Sequence, residues 1–165
     1  MSRVRVIGIG SPAGEDQAGW RVVDALRSSG VLDQLPRAVD TVSLDRPGAR
    51  LVHHLAGADT VILIDAIKSG SAPGTIHRID DIARLDGDRA LSSHGFGLAA
   101  ALGLAHALGG LPASLILYGV EIENHANGSG LSAPVEKAVV TLTCAIGAEL
   151  QALVQNEERA LLPRV

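Results

Sequence analysis

Four consecutive apolar β-formers, Val61-Ile62-Leu63-Ile64, run straight into a carboxylate at Asp65. A strand that is apolar at every position is buried on both faces, which belongs inside a mostly parallel sheet with helices on each side. Open α/β sheets bind their ligands outside the carboxyl ends of the strands. Asp65 therefore stands at the edge where a site is expected. A charge there is paired, capping a turn, or functional, and the decision rests on what else reaches that edge.

The flanking sequence supplies the rest of such a sheet. Arg3–Ile9 reads as a first strand, closed by Gly10-Ser11-Pro12-Ala13-Gly14 and followed by the acids Glu15 and Asp16. Trp20, Val23 and Leu26 then recur at helical spacing within 18–27. A second strand is expected at Ala38–Leu44 and a short helix from Pro47 to Ala56, proline being suited to a first helical position. Beyond Asp65, the turn residues 68–74 lead into Thr75–Ile79, which alternates like a strand. So short a connection has no room for a helical crossover, so this strand is expected antiparallel to its predecessor, near an edge.

Ser92-Ser93-His94 precedes an Ala/Leu/Gly-rich helix over Gly95–Leu108, with Ser92 or Ser93 as its cap. Ser114–Val120 is the last buried strand and ends at Glu121. A polar loop containing His125 leads to a closing helix over Pro134–Gln155 and a tail, 156–165, free to dangle or dock. The expected fold is a three-layer α/β/α sandwich of the phosphorylase/hydrolase-like kind. Its sheet has about five strands, mostly parallel with one antiparallel. At 165 residues the chain, 1–165, makes one domain.

Composition narrows the function classes. A chain 47% hydrophobic and 19% charged is not disordered. Aromatic content of 2% leaves no base-stacking surface, and 14 scattered basic residues under a net charge of −4 give no electrostatic footprint for nucleic acid. The single cysteine, Cys144, excludes an intrachain disulfide framework and suits a reducing compartment; it is expected buried within an apolar helix. No uninterrupted apolar run approaches the roughly 20 residues of a membrane helix, and no basic stretch and apolar signal core open the chain. The expectation is a cytoplasmic protein with no nucleic-acid partner and no membrane insertion.

Several familiar chemistries are missing. Gly8-x-Gly10 would need glycine at 13 for a dinucleotide fingerprint, where Ala13 stands, and only Asp45 offers an acid near the second strand's end. No nucleotide cofactor is expected. GxxxxGK[ST], GxSxG and HExxH are all absent. What remains is Asp16, Asp65 and His94, which the topology brings to one sheet edge together with Glu121. Two carboxylates and an imidazole suit a divalent transition metal, and equally suit a carboxylate orienting a general-base histidine. Each residue also has a structural account. Asp16 fits a helix's first turn, Asp65 a turn cap, and His94 a place beside a cap. His125 is a weaker candidate for the same edge, while His53, His54, His77 and His106 read as structural or exposed.

Taken in order, these segments resemble the hydrogenase maturation endopeptidases. Ile7-Gly8-Ile9-Gly10-Ser11-Pro12 with Glu15-Asp16-Gln17-Ala18-Gly19 is similar to that family's G-x-G-N-x…D-[DE]-x-x-G opening. Ile64-Asp65-Ala66 with Ala72-Pro73-Gly74-Thr75 matches its D-A…P-G-T block, and Ser92 to Leu98 its S-x-H-x-x-G-L segment. Tyr118-Gly119-Val120-Glu121 with Gly130 to Val135 resembles its G-[VI]-x-P…G-L-[ST]-P-x-V ending. Together they cover about residues 3–150.

The resemblance implies an endopeptidase that removes the C-terminal extension of a [NiFe]-hydrogenase large-subunit precursor once nickel is inserted. On that resemblance the nickel is expected to be supplied by the substrate. The family's metal-contacting trio carries over to Asp16, Asp65 and His94, with Gly19 fixing the register at Asp16 and Glu15 as the neighbouring fallback. A non-proteolytic metal-binding chaperone of hydrogenase assembly on the same fold is the alternative. The sequence departs from the pattern at Ser11 (usually Asn), Gln17 (commonly Gly) and Ile122 (usually Pro), and its loop before Glu15 is about one residue shorter.

Overall fold

The strand that ends near Asp65, β3 (Thr60–Ile67), is buried at all eight positions. It sits third in a five-stranded sheet with β1 (Val4–Gly10), β2 (Val39–Asp45), β4 (Ile76–Ile79) and β5 (Ser114–Glu121), in the order β2-β1-β3-β5-β4. The computed structural model describes residues 3–35, 39–80, 97–123 and 130–161. Among the described residues four α-helices accompany the sheet: α1 (Ala18–Ser28), α2 (Leu51–Leu55), α3 (Leu98–Ala107) and α4 (Ala133–Leu161). β1, β2, β3 and β5 run parallel, and only β4 is antiparallel, paired to β5 at the sheet's edge.

The alternation of side chains along each strand divides the core into two layers. Ile62, Ile64 and Ala66 of β3 pack with Val4 and Val6 of β1 against α1 and α4, including Val22, Val23, Leu142 and Ile146. Val61, Leu63 and Ile67 face the other way, with Ile7 and Ile9, against Leu51 and Leu55 of α2 and Leu98 and Leu102 of α3. The expected three-layer sandwich is therefore the fold. By the same alternation Asp65 belongs to the α2/α3 face.

Close backbone approach fixes how α1 sits. A Cβ on Gly19 would lie 2.4 Å from the Ile9 carbonyl oxygen and 2.6 Å from that of Ile64, and a Cβ on Gly8 would lie 2.4 Å from the Gly19 carbonyl oxygen. Only glycine lets the helix rest this closely on β1 and β3.

The structure corrects or refines the sequence expectations in five places. β4 is antiparallel and at an edge as expected, but its hydrogen-bonded neighbour is β5, which lies between it and β3. The expected helix 47–56 is a 3-10 turn (Gly48–Arg50) followed by five-residue α2. α4 continues through Leu161, because Glu157, Glu158, Arg159 and Ala160 are good helix formers and carry no stop signal. Cys144 is exposed. It stands two residues from buried Leu142 and from buried Ile146, and at 3.6 residues per turn that spacing turns it to the outer face. Ala133–Asn156 is long and apolar enough by length and composition to cross a membrane, although no unbroken apolar run marks it. Its apolar stripe, Val135, Ala138, Val139, Leu142, Ile146 and Leu150, is buried in the core.

Candidate active site

The chain passes from β1 to β2 on one side of β1 and then returns to β3 on the other. That reversal is a topological switch point, where open α/β sheets leave a crevice at the strands' carboxyl ends. β1 pairs with β3 only as far as Gly8–Ile64. Asp65 is the first β3 residue past that pairing, where the two strands part. It is 6% exposed.

Asp16 reaches the same place from β1. The strand ends at Gly10, where a Cβ would fall 2.4 Å from the Asp16 carbonyl oxygen. A loop then leads into a 3-10 turn over Gly14–Gln17, entered at Gly14 with φ 51° and closed by the Asp16 N–H donating to the Ala13 carbonyl at 3.0 Å. Such a turn buries two successive acids, Glu15 at 5% and Asp16 at 3% exposure. Trp20 fastens the following helix to the neighbouring strand, its indole N–H donating to the Leu44 carbonyl at 2.9 Å.

Asp16 and Asp65 line one cleft of about 220 Å³. Its walls are otherwise Ile9 and Gly10 of β1, Leu51 of α2, the Arg46-Pro47-Gly48 segment after β2, and Gly97 and Leu98 at the mouth of α3. Two buried carboxylates in a largely apolar cleft have the donor chemistry to hold a cation or a group carrying one. Among the described residues no set of three His, Cys, Asp or Glu side chains is grouped to hold a metal. His94 lies outside the described residues, three positions before Gly97, and so does His125.

Glu15, the fallback for Asp16, has a different job. Its carboxylate accepts from the Glu123 N–H at 2.9 Å, from the Ser132 N–H at 3.0 Å and from the Ser132 hydroxyl. It clamps the start of α4 and the exit of β5 to the first loop. Replacing Glu15 by alanine strands these donors, and the expected cost is about 3 kcal/mol. Thermal unfolding would read that as a fall of ~6–12 °C in a chain this long. A Glu15→Ala protein melting within a degree or two of the parent would refute the clamp.

Glu121 shares the sheet edge but not the cleft. Buried at 2% exposure, it accepts from the Ser69 N–H at 2.7 Å, the Gly70 N–H at 2.9 Å and the Ser69 hydroxyl at 2.7 Å, with His77 Nε2 at 3.5 Å. It organises the turn between β3 and β4. His53 and His106 are exposed, as expected.

The feature with no warning in the sequence is Arg46. It lines the cleft, and its guanidinium is 2.6 Å and 3.3 Å from the two carboxylate oxygens of Asp45. That hydrogen bond holds the Asp45 carboxyl below its ordinary value and Arg46 above its own; the charge of Asp16 acts on both.

Comparison with known proteins agrees with this fold. A sequence model of the HycI hydrogenase maturation protease family matches residues 28–149, a span that contains Asp65 and begins beyond Asp16. The chain is 31% identical over 156 residues to the hydrogenase expression/formation protein HupD of Thiocapsa roseopersicina, covering 92% of this chain and 68% of that one. Across the first three curated relatives the chain spans 64–68% of the relative's length. Its fold superposes on the hydrogenase maturating endopeptidase HybD from E. coli with a TM-score of 0.75 at 30% identity, over 91% of this chain and 93% of that one. The [NiFe] hydrogenase maturation protease HybD from Thermococcus kodakarensis gives 0.70 at 25% identity, over 90% and 98%.

Proposed function

The chain belongs to the hydrogenase maturation protease family, and on that premise we propose that it removes the C-terminal extension of a [NiFe]-hydrogenase large-subunit precursor after nickel insertion. The observation that carries this reading is the convergence of Asp16 and Asp65 on one cleft at the β1/β3 switch point. Their donor chemistry, hard oxygens in an apolar surround, fits a divalent metal carried in by the substrate. His94, three residues before cleft-lining Gly97, is the third ligand in this proposal. Recognition then reads the metal on the precursor, so a nickel-free precursor gives the two carboxylates nothing to engage.

The chain's own contribution is placement. Asp16 and Asp65 fix the metal-bearing segment, while Ile9, Leu51 and Leu98 wall it from water. A divalent metal held there supplies charge stabilisation to a carbonyl or water oxygen.

The test mixes the chain with nickel-loaded and nickel-free precursor and follows the large subunit by mass. Shortening of the loaded form alone is the expected result. Tight binding of loaded precursor with no loss of mass would replace the protease by the metal-binding chaperone. Equal cutting of both forms would remove nickel as the recognised group.

A further inference from the structure

Arg46 has the only positive φ of any non-glycine residue among those described, at 39°. A left-handed backbone is costly for a residue with a Cβ, and Pro47 follows, which biases the residue before it toward extended conformations. Strain of this kind persists where the surroundings enforce it, and it gathers at ligand clamps. Here the Arg46 N–H donates to the Gly10 carbonyl at 3.1 Å, which ties the strained residue to the end of β1 beside the acid-bearing turn. The side chain that results is the only basic one among the described residues lining the cleft.

Its present partner is a weak one. Asp45 is the adjacent residue, and the two side chains are 49% and 69% exposed. Exposed pairs of this kind contribute little to stability, so they explain neither the strain nor the position. A guanidinium is a planar fork that binds carboxylates bidentately. Exchanging one carboxylate for another at the same fork costs little. We propose that Arg46 determines specificity in this cleft by leaving Asp45 and gripping a carboxylate on the peptide segment presented for cleavage. The proposal rests on the cleft being where that segment binds. The carboxylate has two sources, an acidic side chain of the extension or the extension's own terminus.

The experiment compares the full chain with its Arg46→Gly and Arg46→Lys variants on nickel-loaded precursor, recording KM, kcat, precursor affinity by titration, and melting temperature. Arg46→Gly removes the strain with the side chain. The expected result is a melting point equal to or above the parent's, KM and Kd raised at least tenfold, and kcat within threefold. Arg46→Lys, which keeps charge but loses the fork, is expected to fall between. Two altered precursors separate the sources: one with the extension's acids changed to amides, one with neutral residues added beyond its terminus. The precursor on which parent and Arg46→Gly become equal names the carboxylate.

Unchanged KM and Kd in Arg46→Gly would overturn the proposal, as would a melting point that falls with kcat while KM stays put. Retained Arg46 dependence on both altered precursors would also overturn it. If the parent binds loaded precursor without cutting, the affinities still decide on Arg46 while the protease reading falls. If the parent does not bind precursor at all, both fall.

Discussion

Asp65→Asn and Asp16→Asn are each expected to lower processing of nickel-loaded precursor by at least about 100-fold in kcat/KM, ~2.7 kcal/mol of transition-state stabilisation. The amide keeps the size of the carboxylate while removing its charge and turning one acceptor oxygen into a donor. In a cleft walled by Ile9, Leu51 and Leu98, that charge is what a metal-bearing substrate would meet under the proposed function. Both acids are nearly inaccessible, and an ionised carboxylate in such a place has given up much of its hydration. Relief of that cost offsets what the carboxylates' own contacts contribute, so the expected change in stability is no more than about 1 kcal/mol in either variant, in line with the trade between stability and activity at functional sites. Mass analysis of the precursor and a thermal melt, run on the same preparations, check both halves. A fall of about 10 °C alongside the lost activity would make the acids structural. The sharper contrast is within one dipeptide: changing Glu15 is expected to destabilise the fold through three lost hydrogen bonds, and changing Asp16 to silence the cleft.

That contrast marks the boundary of what the sequence could tell. Asp65 was readable because β3 is apolar without interruption and the acid breaks the run. Asp16 was readable because a strand, a glycine turn and an acidic pair put it at the same edge. Which acid of the pair did what was not available locally. The partners of Glu15 lie 108 and 117 residues further along, and no periodicity encodes such a pairing. Glu121 looked like a site candidate for the same reason, until its carboxylate proved to be enclosed by the Ser69-Gly70 turn.

Other differences have their own physical causes. Sequential strands usually neighbour each other, but the short 68–74 connection indicated only that β4 runs antiparallel to β3 and lies near an edge, not which strand it pairs with. β3, buried on both faces, takes parallel partners on both edges, β1 and β5, and β4 is left to cap β5. Arg46 gave no signal because left-handed backbone is announced by glycine or asparagine, and neither stands there. Its conformation comes from tertiary hydrogen bonding to Gly10. The placement of His94 rests on resemblance and chain order alone.

Gly19→Ala is expected to destabilise the fold by ~3–5 kcal/mol, more than most core changes of one methyl group. The added Cβ would meet the Ile9 carbonyl oxygen at 2.4 Å and the Ile64 carbonyl oxygen at 2.6 Å. Both contacts are with backbone of central strands, which cannot rotate away as a side-chain tip would. Relief requires lifting α1 from the sheet, and that opens the packing of Val22, Val23 and Leu26 against β1 and β3. The melting point should fall by ~6–20 °C. Gly103→Ala is the control: it lies in α3 with nothing within 4 Å of a new Cβ, so helix propensity should make it stabilising by about 0.5–1 kcal/mol. Ile64 and Ile9 are also the residues that precede Asp65 and Gly10, so Gly19 packs against the strand ends that carry the cleft. Surviving Gly19→Ala protein, assayed below its own melting point, should therefore lose processing as well. Full activity in a folded Gly19→Ala variant would mean that the strand ends keep their spacing by other contacts, and that the helix seat and the acid site are independent.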